Sequence, residues 1–256
     1  MTPDSFSDGG RFTNNNIATD HAIKMIDDGA HIIDIGGEST RPGSVPVAES
    51  DECERILPVI ESIKKINSNI TISVDTYKAS VAKKAIEAGA DMVNDVSGLT
   101  FDPDMISLLS GKDIPVIIMH INGKPKTMQK NPVYDDLIKD IKHFLYHQST
   151  IAEKAGIKNN HIILDPGIGF GKTFDHNFTL LRRLNEICSL GYRVMIGPSR
   201  KAFIGDALDL PIDDRIEGTL ATVVAGIMNG AKIVRVHDVK EVSRVVKITE
   251  KIIAAA

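Results

Sequence analysis

A short apolar run followed by a helical pattern recurs seven times in this chain and constrains its fold more than any other feature. The runs cover residues 31–35, 70–74, 91–96, 115–119, 162–164, 193–196 and 233–236. Strands that alternate with helices predict a parallel sheet, because parallel neighbours need a crossover connection. A helix over 17–28 precedes the first run, and residues 1–16 are expected to form a loop.

The remaining helical patterns favour a barrel. They cover residues 48–66, 77–88, 103–109, 133–155, 174–189, 201–207, 213–228 and 240–253. No linker interrupts the alternation, so residues 1–256 are predicted to form one domain. Seven strands are one short of a TIM (β/α)8 barrel, which has about 250 residues. A doubly wound open sheet is the rival fold. It is disfavoured because no glycine-rich fingerprint opens the first helix and polar residues end nearly every strand.

The composition excludes several classes of protein. The chain has 256 residues, a net charge of -4 and 42% apolar residues, as is typical of a globular protein with a substantial core. The small negative charge argues against a large nucleic-acid interface, and no apolar run approaches a membrane span in length. Cys53 and Cys188 lack metal-ligand spacing and are predicted to be buried or half-buried thiols. We expect a cytoplasmic protein that binds neither nucleic acid nor membranes.

Polar residues stand at almost every predicted strand end. In chain order they are Asp34, Asp75, Asn94, Asp95, His120, Asp165, Ser199, Arg200, Lys201, Arg235 and His237. The carboxyl ends of all strands in an α/β barrel open on one face, and that face carries the site. A strand-end aspartate also often caps the next helix, and we interpret Asp95 and Asp238 in this way.

Four of these residues suit a flat heterocycle. Asp75, Asn94 and Asp165 would point into the barrel mouth beside Lys201. Together they can hydrogen-bond a donor–acceptor edge such as that of an aminopyrimidinone, while Lys201 neutralises the carboxylates. The alternative is a buried ion-pair network that only fills the barrel. It is the weaker interpretation, since such networks contribute little stability.

A second group of residues is cationic and suits an anion. Arg235 and His237 are two residues apart in a predicted strand, so their side chains would face the same side. Together with Arg41 they would suit a phosphate or pyrophosphate group.

Residues 165–173 read DPGIGFGKT and invite comparison with a phosphate-binding loop. That motif requires glycine at position 166, where this chain has Pro166, and the spacing of the dinucleotide-binding motif does not fit either. We interpret the segment as a tight glycine turn that holds Phe170 and the backbone against a ligand.

Seven short motifs occur in a characteristic order. They are TPDSFSDGG (2–10), DIGGESTRPG (34–43), SVDT (73–76), NDVSG (94–98), DPGIGFGK (165–172), SRK (199–201) and RVHD (235–238). The set covers nearly the whole chain and resembles the dihydropteroate synthase family of folate biosynthesis. One motif such as NDV would not be specific, whereas the whole set in this order is.

The resemblance implies an activity. Family members are TIM barrels, usually homodimers, that condense 6-hydroxymethyl-7,8-dihydropterin pyrophosphate with p-aminobenzoate to give 7,8-dihydropteroate and pyrophosphate, and they are sulfonamide targets. It also implies Mg²⁺ as a cofactor that helps to hold the charge of the departing pyrophosphate. The C–O bond is expected to ionise first, giving a pterin cation that Asp75 and Asp165 stabilise and the arylamine attacks. No nucleophilic side chain is needed.

The resemblance also implies roles for individual residues. Asp75, Asp165 and Lys201 would be catalytic. The pterin pocket would comprise Asp75, Asn94, Asp165, Phe170 and Lys201, and the pyrophosphate subsite would comprise Arg235 and His237. Two loops that close over p-aminobenzoate would contribute Phe6, Asp8, Thr40, Arg41 and Pro42, with Arg41 and Asp8 as an ion pair. Asp34 would support the site from its strand end.

The sequence departs from the family pattern at its start. Family members have a first strand before TPDSFSDGG, ending in an asparagine that contacts the metal-bound pyrophosphate. Here Met1 directly precedes Thr2, so we expect a barrel without that strand, no such metal ligand, and weak or no turnover by these 256 residues. The alternatives are an inactive or regulatory pterin-binding paralogue and a protein similar to the methyltetrahydrofolate-dependent corrinoid methyltransferases. The latter would lack the SFSDGG and STRPG loops.

A second departure gives a testable prediction. Ala202 follows SRK where the family often has a serine that helps to hold the p-aminobenzoate carboxylate. We expect Ala202→Ser to tighten p-aminobenzoate binding, because it adds a hydroxyl donor for that carboxylate. Titration calorimetry measures the change, and unchanged or weaker binding would contradict the prediction.

Overall fold

The computed structural model describes residues 11–41 and 43–255, in which seven parallel strands alternate with helices. The strands are β1 Ile32–Ile35, β2 Thr71–Asp75, β3 Met92–Asp95, β4 Val116–Met119, β5 Ile162–Asp165, β6 Arg193–Ile196 and β7 Ile233–Val234. The helices are α1 Arg11–Asp27, α2 Glu49–Ile66, α3 Ala79–Glu87, α4 Asp104–Leu109, α5 Leu137–Lys154, α6 Phe174–Arg182, α7 Leu184–Cys188, α8 Ala202–Leu208, α9 Ile216–Met228 and α10 Val239–Ala254. No helix in this part of the chain is long and apolar enough to cross a membrane.

The strands pair in chain order, each parallel to the next, which confirms the predicted parallel sheet. Ile32 lies opposite Thr71 at one edge, and Met195 lies opposite Ile233 at the other. This order without reversal is that of a sheet wound in one direction, and it excludes the doubly wound alternative, whose strand order reverses at a switch point.

Alternate residues of each strand face opposite sides of the sheet. One side packs on the helices through a large apolar core that includes Ile33, Ile35, Ile72 and Val74. The other side forms a second, smaller cluster from Met92, Ile117, Ile163 and Met195, against which Ile32 and Ile233 pack. Because residues of β1 and β7 meet the same cluster, the sheet is curved around it in the manner of a barrel.

The inward face becomes polar towards the carboxyl ends of the strands. Two residues beyond the apolar cluster, the chain has Asp34 after Ile32, Asn94 after Met92 and Asp165 after Ile163. The two-residue period of a strand therefore carries these polar side chains into the same interior as the apolar cluster, one layer higher.

Several element boundaries differ from the sequence-based expectation. The helix expected over 17–28 begins at Arg11, so the expected loop over 1–16 is wrong for residues 11–16. The helix expected over 174–189 is divided after Arg182, and that expected over 213–228 begins with a separate 3-10 turn at Ile212–Asp214. Strand β7 ends at Val234 rather than at residue 236. Cys53 is buried and Cys188 half-buried, as predicted.

Gly98 fixes how the loop after β3 packs on its neighbours. Its φ is 64°, in the left-handed region. A Cβ at this position would lie 2.5 Å from the Met119 carbonyl oxygen and 2.8 Å from the Phe144 ring. Glycine is thus required here for two reasons, the dihedral angle and the space.

We expect Gly98→Ala to lower the free energy of unfolding by about 2–4 kcal/mol, the sum of left-handed strain and overpacking. Gly111→Ala is the matched control, because Gly111 has a φ of 68° but open space around it. The control should lose only about 1–2 kcal/mol for the dihedral angle. Urea denaturation measures both losses, and equal values would show that the close approach at Gly98 has no energetic effect.

Candidate active site

A pocket opens at the carboxyl ends of the strands. Asp75, Asn94 and Asp165 line it from β2, β3 and β5, and all three are buried. Its apolar wall consists of Val96, Met119, Ile168, Phe170 and Met195. Gly197, Lys201, Arg235 and Thr40 complete the lining. The structure thus brings together the residues that the sequence predicted for a flat, polar-edged ligand.

Arg235 is the central cation of the pocket. Its Nε donates to Asp34 Oδ2 at 2.6 Å, and its Nη2 donates to Asp75 Oδ2 at 2.9 Å. Asn94 Nδ2 also donates to Asp34 Oδ2, at 3.2 Å. Arg235, rather than Lys201, therefore forms the ion pair of Asp75. The charge of Lys201 still acts on the pocket carboxylates, since it opposes the rise in the pKa of Asp165.

Burial and neighbouring charges shift the acidities of the three aspartates. Burial raises the pKa of Asp75 to about 7, and repulsion from Asp34 adds to the effect. Burial likewise raises the pKa of Asp165 to about 6. Burial alone would raise the pKa of Asp34 as well, but the charge of Arg235 outweighs it and lowers that pKa. Asp75 and Asp165 are thus poised to change charge near neutral pH.

Two buried acceptor atoms of the pocket lining have no hydrogen-bond partner within residues 11–41 and 43–255. They are Asp75 Oδ1 and Asn94 Oδ1. A buried polar atom without a partner costs free energy, and native proteins satisfy nearly all such atoms. Because both residues line the pocket, these acceptors are suited to a ligand that presents N–H donors.

Lys201 lies at the side of the pocket, immediately before α8. Its Nζ is 4.3 Å from the centre of the Phe170 ring, a cation–π contact. Burial lowers the pKa of Lys201 to about 8, and the charge of Arg235 adds to this effect. The flat ring and the amine together form a wall suited to a planar heterocycle.

The segment after β5 is the tight glycine turn that its sequence predicted. Gly167 has a φ of 71°, and a Cβ there would lie 1.9 Å from the His120 carbonyl oxygen. The backbone N–H of Gly167 donates to Asp165 Oδ1 at 2.7 Å. The turn therefore fixes the Asp165 carboxylate and presents Phe170 to the pocket.

Lys172 at the end of this turn is a buried residue whose position the sequence did not reveal. Its Nζ lies 3.0 Å from His120 Nδ1 and 3.0 Å from the Phe170 carbonyl oxygen. Burial lowers the pKa of His120 to about 2 and that of Lys172 to about 7. His120 is thus a neutral residue of the interior. The only sequence signal was a charged residue at the end of a glycine turn.

Arg235 and His237 lie beyond β7, so the expected alternation along a strand does not apply to them. His237 instead contacts the loop after β6, with Nδ1 2.9 Å from Ser199 Oγ. In the same loop Arg200 pairs with Asp238, its Nη2 2.5 Å from Asp238 Oδ1. The interpretation of Asp238 as a side-chain cap is therefore wrong: it occupies the N-cap position of α10, but its carboxylate binds Arg200.

Asp95 stabilises the loop after β3 and does not cap a helix, the role that its sequence position had suggested. Its carboxylate is fully buried and accepts the backbone N–H groups of Ser97 and Leu99, at 2.7 and 3.1 Å. The residue faces the helices and lies outside the pocket lining.

The loop after β1 brings one predicted residue to the pocket. Thr40 lines it, whereas Arg41 is exposed. Phe6, Asp8 and Pro42 lie outside the described residues, and so does the expected ion pair between Arg41 and Asp8.

Comparison with known proteins shows the family of this chain. Residues 1–237 match the family model described as pterin binding enzyme. A dihydropteroate synthase of Bacillus subtilis is 50% identical over 98% of this chain and 85% of its own length.

Solved structures of the same family share the fold. The dihydropteroate synthase of Clostridium difficile, solved in the presence of pteroic acid, has a TM-score of 0.92 and 48% identity over 98% of this chain and 93% of its own. That of Yersinia pestis, solved with a sulfonamide drug, has a TM-score of 0.92 and 43% identity over 99% of this chain and 91% of its own. This chain belongs to the dihydropteroate synthase family of pterin-binding enzymes.

Proposed function

We propose that the pocket condenses 6-hydroxymethyl-7,8-dihydropterin pyrophosphate with p-aminobenzoate, giving 7,8-dihydropteroate and pyrophosphate. The observation that carries this proposal is the pair of buried acceptors, Asp75 Oδ1 and Asn94 Oδ1, which lack a partner among the described residues and line the same pocket as Asp165. Family membership supports the same activity.

The pterin would lie with its aminopyrimidinone edge towards the three strand ends. Its ring N–H and amino groups would donate to Asp75, Asn94 and Asp165. Lys201 would donate to a ring acceptor, and its contact with Phe170 places a flat surface beside the heterocycle. Each charge-assisted hydrogen bond of this kind contributes roughly 1.5–3 kcal/mol.

The pyrophosphate would lie against Arg235 and His237. A guanidinium can bind two phosphate oxygens at once, and an imidazole adds a further donor. Asp34 supports this subsite, since its carboxylate holds Arg235 Nε at 2.6 Å and so fixes the guanidinium at the pocket.

The described residues do not provide a cage for the expected Mg²⁺. No group of three or more His, Cys, Asp or Glu side chains among them could hold a metal ion, and Asp34 and Asp75 are both engaged by Arg235. Proteins often bind Mg²⁺ through substrate phosphates and few side chains. We therefore propose that Mg²⁺, when bound, would be held mainly through the pyrophosphate of the substrate.

The reaction breaks one bond and forms another at the same carbon. The C–O bond between the pterin methylene and pyrophosphate breaks, and its electron pair leaves with pyrophosphate. The anionic Asp75 and Asp165 stabilise the positive charge that develops on the pterin. The arylamine nitrogen then bonds to the methylene carbon and loses a proton. No side chain acts as nucleophile.

The arylamine would enter from the side of the β1–α2 loop. Thr40 already lines the pocket there, and we propose that Arg41, Pro42, Phe6 and Asp8 complete the closure over p-aminobenzoate. Sulfonamides would compete at this subsite, a proposal that the drug complex of the Yersinia pestis relative supports.

We also propose that the curved sheet belongs to a closed barrel. We assign the sheet to a (β/α)8 barrel, formed by residues 1–256 as one domain. Among the described residues no strand pairing joins β7 to β1, yet Arg235 beyond β7 reaches Asp34 of β1. The homodimer and the cytoplasmic location stay predictions from the sequence.

The direct test is a synthase assay on the purified chain with both substrates and Mg²⁺. We expect pyrophosphate release that requires p-aminobenzoate, and formation of 7,8-dihydropteroate in equal amount. Asp165→Asn should lower kcat/KM about 100-fold, because it keeps the acceptor for the Gly167 N–H and removes the charge that stabilises the transition state. Pterin binding without turnover would instead favour the inactive paralogue, and methyl transfer from methyltetrahydrofolate would favour the corrinoid enzyme class.

The pH dependence provides a second test. The raised pKa values of Asp75 and Asp165, about 7 and about 6, mean that both carboxyls take up protons as the pH falls through that range. We expect kcat/KM for the pterin substrate to fall on the acid side between about pH 7 and about pH 6. Because pyrophosphate can titrate in the same range, the control is the affinity for pteroic acid, which carries no phosphate. An acid limb near pH 4, the ordinary range of aspartate, would contradict the prediction.

A further inference from the structure

A buried ionic cluster lies at the base of the β1–α2 loop, outside the pocket lining. It consists of Glu38, Glu52 and Lys78, and the two glutamates are only 8% and 1% exposed. Lys78 Nζ lies 2.7 Å from Glu38 Oε2, 2.6 Å from Glu52 Oε2 and 2.7 Å from the Val47 carbonyl oxygen. The three N–H donors of this ammonium group are therefore matched by three acceptors.

Glu38 ties together the two ends of the segment that carries Thr40. Its Oε2 accepts the backbone N–H of Val47 at 2.9 Å, so residues nine apart in the chain are joined. Its Oε1 accepts the hydroxyl of Tyr77 at 2.9 Å. Lys78 binds both ends as well, through Glu38 and the Val47 carbonyl oxygen. We call this set of contacts among Glu38, Val47, Tyr77 and Lys78 the base of the loop.

The same base is fastened to helix α2 and allows little space. Arg55 Nη1 donates to the Gly37 carbonyl oxygen at 2.8 Å. A Cβ at Gly37 would lie 2.8 Å from Glu52 Cγ and 2.9 Å from its carbonyl oxygen. The loop therefore leaves β1 along one path, set by its contact with Glu52.

Above this base the loop crosses towards the opposite side of the pocket mouth. The backbone N–H of Gly43 donates to the Pro125 carbonyl oxygen in the β4–α5 loop, at 3.2 Å. Thr40 lies between the base and this contact and lines the pocket. The position of Thr40 thus depends on how firmly the two ends of the segment are held.

Burying three charges is a poor route to stability, because desolvation offsets most of the attraction between them. The cluster is better explained by the geometry that it imposes. Tyr77 and Lys78 follow Asp75 by two and three residues. The end of β2 therefore positions both a carboxylate of the pocket and the two residues that bind the loop.

We propose that Lys78 is a positioning residue for the arylamine side of the site, which fixes both ends of the segment between Glu38 and Val47 and thereby places Thr40 at the pocket. The inference rests on the proposed synthase function. Lys78 lies outside the pocket lining, so its effect must pass through the loop.

The kinetic test compares the two substrates of Lys78→Met. The KM for p-aminobenzoate should rise about tenfold, the equivalent of one well-placed hydrogen bond to a charged group. The KM for the pterin substrate should change less than about twofold, since a loss confined to the loop leaves the strand-end carboxylates in place. A general loss of folded protein would lower the apparent kcat but would not raise one KM and leave the other unchanged.

Lys64→Met is the matched control. Lys64 also joins a carboxylate and a backbone carbonyl, with Nζ 2.8 Å from Asp91 Oδ2 and 2.7 Å from the Ile70 carbonyl oxygen, but at the opposite ends of β2 and β3. Neither KM should change in this variant. Equal effects of the two lysine variants, or an unchanged KM for p-aminobenzoate in Lys78→Met, would overturn the proposal.

Hydrogen exchange separates this inference from the synthase function, because it requires no turnover. In Lys78→Met the backbone amides of Gly43, Ser44 and Val47, which are hydrogen-bonded in the structure, should exchange at least about tenfold faster, while those of β1 and β2 keep their rates. Tyr77→Phe should also speed the exchange of these amides. It removes a hydroxyl and no charge, so it provides the test if Lys78→Met fails to fold. Unchanged exchange at Gly43, Ser44 and Val47 in the folded variants would refute the positioning role even if the synthase assay succeeds.

Discussion

The guanidinium of Arg235 joins the two ends of the sheet and sets the charge balance of the pocket. It reaches from beyond the last strand to Asp34 of the first and Asp75 of the second, at 2.6 and 2.9 Å. Two buried carboxylates that contact the same side chain lie close enough to repel each other. The positive charge that they share offsets this repulsion. The charge balance of the pocket thus depends on one side chain.

Because that one cation serves two aspartates, the carboxylates respond differently. The Arg235 charge lowers the pKa of Asp34, whereas burial and the Asp34 charge raise that of Asp75 to about 7. Asp165 has no such ion pair with another described residue, and burial raises its pKa to about 6. The pocket therefore combines one firmly ionised carboxylate, which holds the arginine, with two whose charge the ligand can influence.

The sequence predicted the parallel sheet and most of the pocket for one physical reason. A strand has a period of two, and parallel strands end on one face, so Asp75, Asn94 and Asp165 had to converge. It could not predict which cation binds which carboxylate, because Lys201 and Arg235 reach the pocket on long side chains whose directions depend on packing. Nor could it show that Lys172 points into the interior, since the motif GFGK is equally compatible with an exposed amine.

The predicted ends of helices and strands were wrong where the local sequence pattern is ambiguous. Strand β7 ends early at Val234, and helix α1 begins within a polar segment.

The most direct test of the pocket is the binding of pteroic acid measured by titration calorimetry, with Asp165→Asn compared against Asp113→Asn at an exposed surface site. Pteroic acid should bind the unmodified chain and Asp113→Asn at one site with equal affinity. It should bind Asp165→Asn at least about tenfold more weakly, because a charge-assisted hydrogen bond to the pterin is lost. Equal affinity for all three proteins, or no binding by the unmodified chain, would contradict the assignment of these strand ends to a pterin.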